Sequence, residues 1–385
     1  MARPAGRAEC PRDPASDLAR RRADSAAAPG DDTDDRAARR TADHRATDPD
    51  DAAHTGHDTS AAPAAPVQRD EVPQAVTSAP AIDTRDGYWS ERLAHAMGSG
   101  AHVVAGDAPA GVVDWAVDEL ERLEQCWSRF RPDSELSRLN ASPGSWTEVS
   151  ASMLLALTCA ADLHRATAGR FDPTVLDALE RAGYDRTFEA VAPAADAAPS
   201  APPVPGLARV EIDEERSRVL LPAGTRLDLG GVGKGLAADL LARGLVDRGA
   251  RSALVGLGGD LRARGEAPPD GAWDIPVLDP FDDASVAFRF PLVDGAIVTS
   301  TTRMRRWTRA NRDYHHIVDP ATGDSARTPV VAVVAAARDA WWAEGIAKSI
   351  IIAGVKAGLH LARDADVRAW LFLADGDALE TGPVG

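Results

Sequence analysis

From residue 88 onward the chain alternates between two hydrophobic rhythms. One repeats every third or fourth residue. Over 108–127 it places Val113, Ala116, Val117, Leu120, Leu123 and Trp127 on one side of a helix. MLLALTCAADLHRAT (153–167) predicts a second helix ended by Gly169, and LAADLLARGLVDRG (236–249) a third closed by Gly249. AWWAEGIAKSIIIAG (340–354) predicts a fourth, with Glu344 and Lys348 on one face of an otherwise apolar run. The other rhythm is the short apolar run of a strand: AHVVAG (101–106), SALVGLGG (252–259), AIVTS (296–300), a segment over 314–318, VVAVVAAA (330–337) and VRAWLFLAD (367–375). Two further pairs predict hairpins, one over 208–222 turning at Glu214–Arg216, the other joining 272–280 to 284–292. Helices and strands mix, mostly with hairpin-length links. That predicts a single two-lobed α+β domain with a large, mostly antiparallel sheet flanked by helices, not a regular βαβ array. An Ala/Pro-rich stretch at 189–207 predicts a mobile insertion.

The first 84 residues lack both rhythms. They are Ala, Asp, Arg, Pro and Thr with hardly a large apolar side chain, so they cannot bury enough surface to offset chain entropy. A disordered tail over 1–84 and a folded domain over 85–385 are the expected division. Lys+Arg 43 against Asp+Glu 59 leaves the chain at −16, which argues against general nucleic-acid binding. The lysines are Lys234, Lys348 and Lys356, so almost all positive charge is arginine. Cys10, Cys126 and Cys159 form neither a disulfide framework nor a zinc signature. With no apolar leader and no run of about 18 apolar residues, the expected location is cytoplasmic, without a membrane segment.

Several short segments have the composition of a site. In LDLGGVGKGLAAD (227–239), glycines at 231, 233 and 235 surround Lys234 just before a helix. Glycines let backbone approach a ligand, and a helix N-terminus favours anions, so a pyrophosphate is a natural guest. The glycine spacing and Gly235 after the lysine exclude a Walker A loop. GLGGD (256–260) presents Asp260 after a glycine turn, where a purely structural turn, with Asp bonding its own backbone, is the favoured explanation. In YHHIVDPATG (314–323), adjacent His315 and His316 on a strand point to opposite faces, so only one faces any site. GRFDPTV (169–175) and SRFRPDSELSRLN (128–140) read individually as capped, turn-rich loops.

Taken in order, these segments resemble the signatures of the FAD:protein FMN transferase (ApbE-like) family. Met97-Gly98, SRFRPDSELSRLN, GRFDPTV, DLGGVGKGLAAD, GGD (258–260) and HIVDPATG (316–323) match over about residues 88–375. The resemblance implies an ApbE-like fold and an enzyme that binds FAD with Mg²⁺ and splits its pyrophosphate. FMN then passes to a Thr or Ser hydroxyl of an acceptor flavoprotein. It implies FAD contacts at Met97, Phe130, Arg170, Phe171, Asp172, Asp228 and Lys234. It also implies a metal-ligating carbonyl at Gly231 and a histidine near the reacting phosphate at His316.

The sequence departs from the family at the metal. Thr299-Ser300-Thr301 stands where the family has Thr-Ser-Gly, and the Asp and Thr that ligate Mg²⁺ become Glu344 and Lys348. Glutamate can still ligate through oxygen; lysine has three donors and no acceptor. The expectation is therefore an altered Mg²⁺ site, with Glu344 a ligand and Lys348 a catalytic cation or half of an ion pair that closes the site. FAD hydrolysis to FMN and AMP, or FAD binding without chemistry, are the alternatives.

Overall fold

The computed structural model describes Pro80 and residues 88–382; apart from Pro80, the tail expected over 1–84 lies outside the described residues. The main sheet is built from β1 (Trp89–Ala96), β2 (Ser99–Gly106), β3 (Ser252–Leu257), β4 (Asp260–Gly265) and, after a separate hairpin of β5 (Trp273–Asp279) and β6 (Asp282–Leu292), from β7 (Gly295–Thr301), β8 (Val330–Ala337), β9 (Arg368–Leu373) and β10 (Ala378–Glu380). Their order is β1-β2-β3-β4-β7-β8-β9-β10, and every neighbouring pair is antiparallel. The α+β expectation holds.

Successive strand residues point to opposite faces, and here both faces are dry. Val103, Val255, Val298, Val333 and Leu371 face one core; Val104, Leu254, Ile297, Val334 and Phe372 face another. That is why the central strands read as unbroken apolar runs. The first core is covered by α1 (Val112–Trp127), α3 (Ala151–Ala166), α5 (Gly233–Asp247) and α6 (Ala340–Asp364). The second is covered by the β5–β6 hairpin through Trp273, Ile275 and Val277. A short helix α2 (Glu135–Asn140) follows α1, and α4 (Leu176–Ala182) joins Tyr184, Trp307, Tyr314 and Val318 in a smaller separate cluster.

Three local expectations change. The predicted helix at 340–354 runs on to Asp364, through a break at Gly354 (φ 74). It is long and apolar enough to cross a membrane, but 56% of its most apolar window is buried inside the domain, as befits a core helix. The predicted strand at 314–318 is interrupted: strands Arg312–His315 and Val318–Asp319 leave His316 and Ile317 between them. The 189–207 stretch is seated, with Ala194 N–H donating to Thr308 O at 3.1 Å and Val204 N–H to Pro320 O at 3.0 Å.

Candidate active site

The glycine loop is held from two sides. Asn140 both accepts from Leu227 N–H (2.8 Å) and donates to Leu227 O (2.9 Å), and Asp228 N–H donates to Pro173 O at 2.7 Å. The SRFRPDSELSRLN segment is thus largely scaffolding: Ser134 caps α2, and Glu135 accepts from Ser150 N–H at 2.6 Å. At Gly235 the loop passes into α5 so close to α6 that an added Cβ would lie 2.5 Å from the Ala340 carbonyl oxygen. One turn later, the Asp239 carboxylate accepts from the Ala340 and Trp341 N–H groups at 3.0 and 2.9 Å. It caps α6 from a neighbouring helix, and Arg262, 2% exposed, braces it at 3.0 Å. Burial and the nearby Asp339 carboxylate push Asp239 up to about 7, against those N–H groups and Arg262.

This brace sets Glu344 against the start of α5. Glu344 is fully buried. Its Oε1 accepts from Lys234 Nζ at 2.5 Å and from Lys348 Nζ at 2.9 Å; its Oε2 accepts from Gly235 N–H at 2.9 Å. Lys234 Nζ also lies 2.8 Å from Oδ2 of Asp260, which is itself buried, though this ion pair is not aligned as a hydrogen bond. Burial alone would raise Glu344, but the two ammonium groups outweigh it and hold the carboxyl at about 2. Burial would lower Lys234, but Asp260 and Glu344 outweigh it and the ammonium is held above its usual range. Lys348 shifts down, through burial and the like charge of Lys234, despite Glu344.

Both lysines open onto a cavity of about 410 Å³; Glu344 and Asp260 do not line it and sit behind them. Met97, Phe130, Arg170, Phe171, Asp172, Asp228, Gly231 and His316 line the same cavity. The residues expected at the site therefore share one cavity, except Glu344, which lies behind the lysines. Met97 (φ 52) and Gly98 make the turn from β1 to β2. The Asp172 carboxylate is spent on structure: it accepts from Thr174 N–H (2.8 Å) and Thr174 Oγ1 (2.6 Å) in its own turn and from Leu207 N–H (3.0 Å) across the fold, with His164 Nδ1 at 3.2 Å. Of the two histidines, His315 bonds Ala326 O at 2.9 Å, and His316 faces the cavity with a buried Nδ1 that has no hydrogen-bond partner. Burial, then the positive charges of Arg305 and Lys348, keep His316 well below the usual imidazole range, so the ring is neutral.

Two cavity residues had no signature. Arg129 ion-pairs with Asp228 at 2.8 Å and lies over the rings of Phe130 (4.1 Å) and Tyr184 (4.5 Å). Its Nη2 is buried without a partner. Arg305 donates to Gly98 O at 3.0 Å beside the β1–β2 turn. Arg129 sits at a variable position of the SRFRPD segment, and Arg305 in a turn, so neither periodicity nor motif points to them.

The side chains present do not fit a magnesium ion. Both Glu344 oxygens are committed to donors, and among the described residues no group of three or more His, Cys, Asp or Glu could hold a metal. Two unit charges about 4 Å apart at an effective permittivity of about 20 interact by ~4 kcal/mol, so either ammonium by itself repels an adjacent divalent ion by about twice that, and the carboxylates that would offset it are already engaged by the lysines.

The ApbE family pattern matches residues 97–371. An FAD:protein FMN transferase of Treponema pallidum is 31% identical over 278 residues, covering 66% of this chain and 76% of its own. One from Salmonella typhimurium is 25% identical, covering 81% and 90%. Among solved structures, the ApbE protein of Thermotoga maritima superposes with a TM-score of 0.69 at 26% identity, covering 76% of this chain and 97% of its own. Flavin transferase ApbE from Vibrio cholerae, at 23% identity and a TM-score of 0.64, shares the fold.

Proposed function

Because the chain belongs to the ApbE family, we propose that it is an FAD:protein FMN transferase, moving FMN from FAD to a Thr or Ser hydroxyl of an acceptor flavoprotein. The observation that carries this is the meeting of Lys234, Lys348 and neutral His316 on one cavity. Phe130, Phe171 and Met97 supply apolar surface for the flavin nucleotide, Arg170 adds charge, and Asp172 and Asp228 fix the loops around it. Gly231, without a side chain, lets the loop backbone approach the pyrophosphate. The acceptor oxygen bonds to the FMN-side phosphorus as the bond from that phosphorus to the bridging oxygen breaks. The bridging oxygen leaves with the electron pair as part of AMP. The neutral His316 imidazole takes the hydroxyl proton, and Lys234 and Lys348 meet the charge gathering on the leaving phosphate.

Incubation with FAD and an acceptor flavoprotein bearing a Thr or Ser site tests this. The expected result is flavin fluorescence on the denatured acceptor, with one AMP released per flavin attached. Free FMN with no labelled acceptor would make the protein an FAD pyrophosphatase. Bound FAD with no AMP would make it a silent binder.

A further inference from the structure

We infer that Lys348, with Lys234, takes the place of a divalent cation, so that flavin transfer in this protein needs no metal. The inference rests on the FMN-transfer reading but draws on a separate observation, the direction in which the charges face. The two lysines line the cavity, each side chain 14% exposed, while Glu344 and Asp260, which hold their ammonium groups, are 0% and 1% exposed and do not line it. A metal site faces the other way: its oxygens point into the cavity and the cation arrives with the substrate. Here the carboxylates lie off the cavity wall and the cations are covalently part of the chain.

The geometry also separates this from a plugged, silent site. A Glu–Lys pair that merely filled a lost metal site would satisfy itself and withdraw from the cavity. Instead Glu344 is shared between Lys234 and Lys348 through one oxygen, and both ammonium groups keep protons to donate. Glu344 and Asp260 balance the two lysines, so the cluster is close to neutral without substrate and presents donors to a pyrophosphate when one arrives. Lys348 also packs against the glycine loop: its Cδ lies 3.7 Å from where a side chain at Gly231 would begin. The transfer step keeps the balance given above, with the leaving phosphate's charge met by fixed ammonium groups in place of an ion.

Manganese(II) serves as the probe, because its bound and free forms differ in electron paramagnetic resonance. The full chain is stripped with chelator, and FAD binding is followed by flavin fluorescence. The expected result is unchanged FAD affinity and unchanged AMP release in chelator and in excess Mg²⁺. The protein–FAD complex should hold no Mn²⁺ beyond that held by FAD alone. A stoichiometric Mn²⁺ on the complex, displaced by Mg²⁺, or loss of FAD binding in chelator, would overturn the inference. Lys348→Met should lower turnover by about 10²-fold, as loss of one preorganised charge donor does, without rescue by Mg²⁺; full turnover would also overturn it. Glu344→Asp with Lys348→Thr should gain a Mn²⁺ site and metal-dependent FAD binding. If that variant folds by circular dichroism and gains neither, positions 344 and 348 do not occupy the ion's place and the inference fails. Failure of the transfer reading looks different: no AMP and no labelled acceptor under any condition, while the Mn²⁺ readout stands on FAD binding alone.

Discussion

Replacing Glu344 by glutamine keeps the side chain's shape and removes one charge at the most connected point of the site. The carboxylate accepts from two ammonium groups and one backbone N–H while fully buried. Glutamine keeps a single acceptor oxygen and turns an NH₂ donor toward groups that are themselves donors. Two buried lysines are then left with Asp260 as their remaining carboxylate. Removing one partner of a buried ion pair costs ~3–5 kcal/mol. The acid side gives an independent figure: a drop from the ordinary 4.5 to about 2 corresponds to ~3 kcal/mol. Because the folded value is depressed, that stability is present above pH 4.5 and is lost as pH falls toward 2. Urea unfolding of both proteins at neutral pH, repeated down the acid range, is the assay. Glu344→Gln should lose ~3 kcal/mol at neutral pH and show a flatter acid limb than the parent. A loss under ~1 kcal/mol, typical of an exposed pair, with an unchanged acid limb, would refute the buried three-way contact.

Four further outcomes follow from other contacts. His316→Asn should retain FAD affinity and lose about 10²- to 10⁴-fold in flavin transfer, measured as kcat. Because the His316 pKa is lowered by burial, the parent's transfer rate should hold as pH falls through 6.5 and decline only below it, which a pH–rate profile checks. Arg129→Lys should weaken FAD binding and also destabilise the fold, because lysine lacks the planar fork that pairs Asp228 while lying over Phe130 and Tyr184; fluorescence titration and thermal melting read the two effects. Gly235→Ala drives a methyl to within 2.5 Å of the Ala340 carbonyl oxygen and should cost ~1–3 kcal/mol or more by denaturant unfolding, with FAD binding weakened as α5 and α6 part.

Much of this was legible in the chain, for physical reasons. Val103/Val104 and Leu371/Phe372 each split between the two cores, so both faces of the sheet are apolar, and the strands announce themselves as runs. The glycine loop was legible because close backbone approach tolerates no side chain. The Glu344–Lys348 pair was legible because helical spacing sets it. Its third member was not: Lys234 reaches Glu344 across 110 residues, and no local pattern encodes that distance. Asp260 read more readily as a plain turn residue, and only its burial against Lys234 tells otherwise. The end of α6 was misjudged because Gly354, at a left-handed φ, has the form of a helix stop. The helix resumes because Leu361 and Ala362 still have core to fill.

The span between Lys234 and Glu344 has a consequence for how the protein comes into being. A contact closed over so long a loop forms slowly and late. Synthesis runs from the N-terminus, so Lys234 has Asp260 but lacks Glu344 until residues beyond Lys348 have been made and docked. A nascent or truncated chain can therefore possess the glycine loop and the sheet's first strands without possessing the pocket. Under the proposed function, flavin selects chains that have completed this last closure and, by mass action, holds them there. In this protein the substrate doubles as a reporter of finished folding.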